Sequence, residues 1–302
     1  MSRTEFYFIQ LGSMEETPTS PRVTALIVSR NSVESLRRCL AALQATTARE
    51  TLEIVVVDNG SQDGSQTMDT DFPDIHMMRL PKNFGTTKAL NAGIRTARGE
   101  YVLLLPTDAE VKPDTIEILA ARLESHEDVG AVCASVKQSY PLPSKATLAE
   151  FWKKGQFPGA TQVDVSADAV AVDYVIDTPM LVRRSLLIGM NYFDAQFGEF
   201  GPDAELCFRI RNGGKKILVI PAAQVVRAVK LEQEEGPLYS VDRALGAAIY
   251  LGKREGFGAA LQFRLGAIFH VLGRILTFQN VGYDFQRLSA LVSGQKIDGT
   301  HV

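Results

Sequence analysis

Leu52 to Gly64 reads LEIVVVDNGSQDG, an unbroken apolar run followed at once by Asp58 and a string of turn formers. The stretch Glu53 to Val57, apolar at every position after Glu53, predicts a strand buried on both faces, as in parallel sheets covered by helices. Asn59-Gly60 and the polar residues after it predict the loop that ends the strand. The same phrase occurs on either side. Val23 to Val28 is an apolar, β-branched run, followed by the loop Ser29-Arg-Asn-Ser32 and by Leu36, Cys39, Leu40 and Leu43 at helical spacing. Ile75 to Leu80 predicts a weaker strand, Thr86 to Ala97 a helix, Tyr101 to Leu105 another buried strand, and Ile116, Leu119, Ala120 and Leu123 another helix. This alternation through about residue 125 predicts an α/β fold with a Rossmann-like, mostly parallel central sheet and helices on both faces. Such sheets bind ligands beyond the carboxyl ends of their strands, where Asp58 and Asp108 both fall.

Beyond Val129 the rhythm changes. Strands are expected at Val129 to Val136, Ala169 to Val175, Met180 to Val182 and, finally, Ile217 to Ile220, with a helix from about Asp203 to Asn212 closed by Gly213-Gly214. Residues 21–235 therefore form one domain, with a first half over about 21–125 and a mixed α+β second half over about 126–235. Residues 1–20 are a flexible lead without the basic start and apolar core of a signal peptide, and 236–302 are a helical C-terminal extension. Within that extension Phe257 to Phe278 is strongly apolar but interrupted by Gln262, Arg264, His270, Arg274 and Thr277. Two arginines argue against a membrane span. The wide apolar face predicts packing on the main domain or against a second copy in a homodimer, the alternative being peripheral contact with a membrane interface.

A chain of 302 residues with 45% apolar and 22% charged content is ordinary for a soluble enzyme. A net charge of -3 and the lack of a basic stripe exclude nucleic acid as the expected partner. Cys39, Cys133 and Cys207 sit apart in apolar runs and read as buried thiols, so a reducing cytoplasm is expected, at most at the inner face of a membrane. His76, His126, His270 and His301 show no metal-ligand spacing.

Four blocks in order, VTALIVSRN from Val23, LEIVVVDNGSQDGS from Leu52, the segment Asn83 to Asp114 and the segment Phe197 to Val226, together resemble family 2 glycosyltransferases of the GT-A fold. The strand-end Pro106-Thr-Asp108 is similar to the rhamnosyltransferase-like branch. The resemblance implies an inverting transfer of a sugar from a nucleoside diphosphate sugar to the hydroxyl of a glycan or lipid-linked acceptor, of the kind used in cell-envelope polysaccharide biosynthesis. It implies the nucleotide in the first half and the acceptor over the second. The alternative is a catalytically impaired protein that keeps the fold as a nucleotide-sugar binder or assembly scaffold.

The chemistry asks for two things: neutralisation of charge growing on a departing diphosphate, and a carboxylate to take the proton of the attacking hydroxyl. By resemblance Asp203 is the general base, although it also suits the first turn of its helix. Asp58, Ser29 and Asn31 would lie beside the base or ribose, Asp58 serving equally as an Asx turn. Asn83 and Gly85, with Lys88, Asn91 and Gly93, match the block that packs a helix under the nucleotide. Asp108 aligns with the last acid of the family's D-x-D, the ligand for Mg²⁺ or Mn²⁺. Glu110 is a possible second carboxylate for that metal, or a solvated residue. Glu199 and Glu205 are second-choice acids, Asp173 and Asp177 fall on the acceptor side, and Trp152 is a candidate sugar-stacking platform with simple packing as the alternative.

Three positions depart from the family pattern. Pro106 replaces the first acid of D-x-D, Pro202 replaces the acid before Asp203, and Arg227 stands where a histidine often helps to bind the metal. Charged arginine cannot ligate a cation but can contact a phosphate, as can the nearby Lys230.

Overall fold

The computed structural model describes residues 20–136, 139–141, 160–162, 166–175, 177–227, 236–278 and 280–299. The expected lead up to residue 19, Trp152 and Lys230 lie outside these. The strands are β1 (Val23–Ser29), β2 (Leu52–Asn59), β3 (His76–Leu80), β4 (Tyr101–Leu104), β5 (Ala109–Val111), β6 (Val129–Ser135), β7 (Ser139–Pro141), β8 (Ala160–Gln162), β9 (Val170–Ala171), β10 (Met180–Arg183) and β11 (Lys216–Arg227). The helices, numbered in chain order, are α1 (Val33–Gln44), α2 (Thr86–Thr96), α3 (Thr115–Glu124), α4 (Arg184–Gly189), α5 (Pro202–Asn212), α6 (Pro237–Glu255), α7 (Phe257–Leu276) and α8 (Val281–Ser293).

The main sheet runs β3-β2-β1-β4-β10-β6-β11-β5, with β9 beside β11. Its first half is parallel as expected, β1 pairing with β2 and β4 in register from Val23 opposite Leu52 and Tyr101. The second half is mixed, in keeping with the mixed α+β half expected there, so the mostly parallel description fits the first half and is corrected only for the sheet as a whole. The chain leaves β6 and re-enters the sheet at the same edge, Met180 lying opposite Cys133, so β10 runs back antiparallel between β4 and β6. A return at the same edge needs no crossover helix.

Two further expectations are corrected. The final strand does not stop at Ile220 but continues through Pro221 to Arg227, with its register against β6 shifting between Ile220 and Gln224. Proline is tolerated at such an irregularity because no ladder hydrogen bond is asked of it. The strand expected over Ala169 to Val175 shrinks to Val170–Ala171.

Close packing of α2 on β1 and β2 depends on Gly93, where a Cβ would come within 2.3 Å of the Leu26 side chain. Helices α6, α7 and α8 form a second, smaller core through Val241, Leu245, Phe263, Ala267, Val271 and Leu291. Here α7 inverts the sequence reading. Phe263, Ala267 and Val271 face inward, and Arg274 is drawn in beside them to pair with the fully buried Asp284 at 2.9 Å. The stripe Phe257, Leu261, Leu265, Phe269 and Leu276 points outward and is exposed. By length and composition α7 is apolar enough to cross a membrane. Among the described residues nothing covers that stripe.

Candidate active site at the carboxyl ends of the strands

The loops after β1 and β2 are tied together before any ligand arrives. Asn31, in the left-handed region at φ 47°, accepts from Gln62 N–H through Oδ1 at 2.9 Å, and its own N–H donates to Ser61 Oγ at 3.0 Å. Ser32 stands at the N-cap of α1, yet its hydroxyl donates to the Arg30 carbonyl, and the Val33 N–H is taken instead by Asp63 Oδ2. Burial raises the Asp63 carboxyl, but the Ser65 hydroxyl and the N–H groups of Val33 and Ser65 all donate to it and together hold it below the usual carboxylate range.

Three buried polar atoms at this edge are left without a hydrogen-bond partner among the described residues: Ser29 Oγ, Arg30 Nε and Asp58 Oδ1. Asp58 is 2% exposed, and its Oδ2 accepts the Ser61 N–H at 3.1 Å, the expected turn, while Oδ1 remains over. Buried polar atoms are nearly always satisfied, so three orphans at one strand edge mark where an external hydrogen-bonding group belongs. Arg30 Nη1 donates to the hydroxyl of Tyr239, a residue of α6, at 2.9 Å; the sequence reading included Arg30 only as part of the loop Ser29 to Asn31 and did not indicate Tyr239.

The other expected nucleotide residues act largely within the protein. Asn83 Oδ1 accepts from Asn59 Nδ2 and from the Gly85 N–H, both at 2.9 Å, fastening the loop after β2 to the start of α2. Gly85 has φ +78°, and a Cβ there would meet the Ile297 carbonyl oxygen at 2.2 Å. Lys88 Nζ donates to the Asp298 carbonyl at 2.7 Å, and Asn91 exchanges two hydrogen bonds with the Phe193 backbone. The C-terminal segment thus lies against the N-terminus of α2, which no sequence signal indicated. It is held there by Asp242, a buried carboxylate of α6 that accepts the N–H groups of Glu199, Phe200 and Ile297 at 2.7, 3.1 and 2.9 Å. Burial pushes the Asp242 carboxyl up from its ordinary value against the pull of those donors. Glu199 accepts the Thr86 N–H at 3.0 Å and so stabilises the start of α2. Glu205 is 1% exposed and paired with Arg209 and Lys253, each at 2.9 Å, which makes it structural.

Asp203 stands in the first turn of α5, behind Pro202 and the left-handed Gly201. Its Oδ2 accepts the Asp177 N–H at 2.6 Å and its Oδ1 the Ala204 N–H at 2.9 Å. Burial pushes the carboxyl up to about 6; the two donors lower it, and the Asp177 charge raises it again. A carboxylate tuned toward neutrality suits proton abstraction from a hydroxyl near pH 7.

Asp108 is 7% exposed and lies just before β5. Because β5 pairs with β11 so that Ala109 faces Arg227, the Arg227 guanidinium is brought directly onto it. Asp108 Oδ1 accepts from Arg227 Nη2 at 2.5 Å and from Nε at 3.1 Å, and Asp177 Oδ2 accepts from the same Nη2 at 2.8 Å. Arg227 Nη1 also donates to the Asp177 carbonyl. Burial costs the guanidinium some of its proton affinity, but the two carboxylates together hold it above its ordinary value. Asp108, Arg227, Asp177 and Asp203 therefore form one continuous chain of contacts. Glu110 points elsewhere, onto Arg38 at 3.0 Å in a partly exposed pair. Asp173 pairs with Arg211 at 2.7 Å.

The GT-A fold implies a divalent cation on Asp108. The donor set here does not fit one, because Nη2 occupies the point where the Asp108 and Asp177 oxygens converge. Among the described residues no group of three or more His, Cys, Asp or Glu is placed to hold a metal.

Comparison with known proteins agrees with this architecture. The profile of "Glycosyl transferase family 2" matches residues 24–188. The "Succinoglycan biosynthesis protein ExoO" of Rhizobium meliloti is 33% identical over 109 residues, 35% of this chain and 30% of that protein. An "N-acetylglucosaminyltransferase" of Mesorhizobium japonicum is 27% identical over 232 residues, 72% of this chain and 53% of that one. The chain thus spans about half or less of the length of these two relatives. Among solved structures, the mannosyltransferase PcManGT of Pyrobaculum calidifontis, in complex with GDP-Man and Mn²⁺, superposes with a TM-score of 0.59 at 19% identity, over 92% of this chain and 89% of that one.

Proposed function

The chain belongs to glycosyl transferase family 2, and we propose that it moves a sugar from a nucleoside diphosphate sugar to an acceptor hydroxyl with inversion at the anomeric carbon. The observation that carries this reading is the group of unpartnered polar atoms, Ser29 Oγ, Arg30 Nε and Asp58 Oδ1, at the strand edge adjoining the Asp108 to Asp203 chain. Asp58 Oδ1 is an acceptor suited to a ring N–H of a base or to a ribose hydroxyl. Asp203 takes the acceptor proton as the hydroxyl oxygen bonds to the anomeric carbon, and the nucleoside diphosphate leaves with the electrons of the broken bond.

An acceptor of the glycan or lipid-linked class is supported by the relative named for succinoglycan biosynthesis. The rhamnosyltransferase-like branch rests on Pro106-Thr-Asp108 alone. A cytoplasmic setting is supported by three buried, unpaired cysteines. A binder without turnover is the second reading, favoured by the Arg227 grip on Asp108.

A panel of nucleotide sugars with hydroxyl acceptors, read by release of nucleoside diphosphate, tests the reading. Release above the buffer rate with one donor is the expected result. Tight binding of a donor with no release across the panel would favour the binder.

A further inference from the structure

We propose that Arg227 takes the place of a divalent cation and binds the donor diphosphate directly, so that nucleotide binding does not depend on metal. The proposal rests on the reading of this site as one for a nucleoside diphosphate sugar. Three observations carry it. First, Arg227 Nη2 lies between the oxygens of Asp108 and Asp177, at 2.5 and 2.8 Å, which is the position a cation shared by two carboxylates would hold. Second, the guanidinium is placed by the backbone, since the β5–β11 pairing sets Arg227 opposite Ala109, one residue from Asp108. Third, the two acids differ in how firmly they are committed.

The Asp108 side chain is 8% exposed, whereas that of Asp177 is 51% exposed. Removing water's access to Asp108 fixes its pairing, and the solvated Asp177 carboxylate is the partner that a stronger anion displaces. A diphosphate arriving from solvent would take over the guanidinium edge held by Asp177. The planar fork of arginine matches two phosphate oxygens at once and stays charged at any working pH. Asp108 then acts as a positioning residue that aims the guanidinium, in place of acting as a metal ligand.

The test is titration calorimetry on the full chain with UDP, GDP, dTDP, CDP and ADP, each in excess EDTA and again in Mn²⁺. For the diphosphate that binds, the expected Kd in EDTA is within about threefold of that in Mn²⁺. Arg227→Ala is expected to weaken that diphosphate at least about tenfold in EDTA, order of magnitude for one charge-assisted bond lost, and to leave the parent nucleoside unchanged. Arg227→Lys, which keeps the charge and loses the fork, covers the case in which the alanine variant fails to fold, and is expected to fall between the two. Diphosphate binding seen only in Mn²⁺ overturns the proposal and leaves the proposed function standing. An Arg227→Ala chain that binds diphosphate in EDTA as tightly as the parent also overturns it. No nucleotide binding under either condition removes the proposed function, and this inference with it.

Discussion

The backbone N–H of Asp177 donates to Oδ2 of Asp203 at 2.6 Å, while the side chain of Asp177 is held by Arg227 at 2.8 Å. One residue therefore connects the guanidinium proposed to bind the donor diphosphate to the proposed general base. Asp177 adopts φ 48°, in the left-handed region that aspartate enters more readily than most residues.

The pH dependence follows from Asp203. Burial raises its carboxyl to about 6 from 3.8, and a general base works in the ionised form. Turnover is expected to fall as pH drops through about 6, measured as kcat/KM between pH 8 and pH 5. A profile flat to about pH 4.5 would show that the working base is another group. For stability the sign is opposite. A carboxyl that binds its proton more tightly when folded weakens the fold as pH rises from about 4 to about 6.

Asp58 has a buried oxygen without a partner among the described residues, which the proposed function assigns to the nucleotide. Asp58→Ala is expected to weaken nucleoside diphosphate binding by about tenfold or more, the range for one hydrogen bond to a charged group. Calorimetry with the diphosphate that binds the parent checks this. Equal affinity in the variant would remove Asp58 from the site.

Asp242 gathers three N–H groups, two from the loop before α5 and one from the C-terminal segment. Asp242→Ala leaves those donors without their acceptor in the interior, at a cost of about 3 kcal/mol or more. The expected result in denaturant unfolding is a lower midpoint, together with a reduced kcat because the loop leading to Asp203 loses its anchor. An unchanged midpoint would contradict the role given to this carboxylate.

Glu110 provides the contrasting case. Its pair with Arg38 is partly exposed, and such pairs contribute roughly 0 to 1 kcal/mol. Glu110→Ala is expected to leave both stability and diphosphate affinity near the parent values, with or without Mn²⁺. A loss of affinity confined to Mn²⁺ would return Glu110 to the cation.

The strands of the first half were legible because a strand buried on both faces writes itself as an unbroken apolar run, as Ile54 to Val57 and Val102 to Leu105 do. What the sequence hid is non-local. Ala109–Val111 is too short to show a period, and it is a strand only because β11 lies beside it. That pairing requires β11 to continue through Pro221 to Arg227, beyond the Ile220 at which the strand was expected to end. The Arg227 contact with Asp108, across a sequence separation of 119 residues, follows from that register. Arg227 was singled out by its departure from a family pattern, but its two partners came only with the fold. Asp242 gave no signal, because an aspartate within a helix looks solvated until its buried partners are known.

The central claim is that Asp203 removes the acceptor proton in a sugar transfer. The most direct measurement compares steady-state release of nucleoside diphosphate by the parent and by Asp203→Asn, with the diphosphate Kd measured on both. The account predicts a fall in kcat of about a hundredfold or more, the usual scale for loss of a general base, with Kd nearly unchanged. Equal turnover in the two proteins would contradict it.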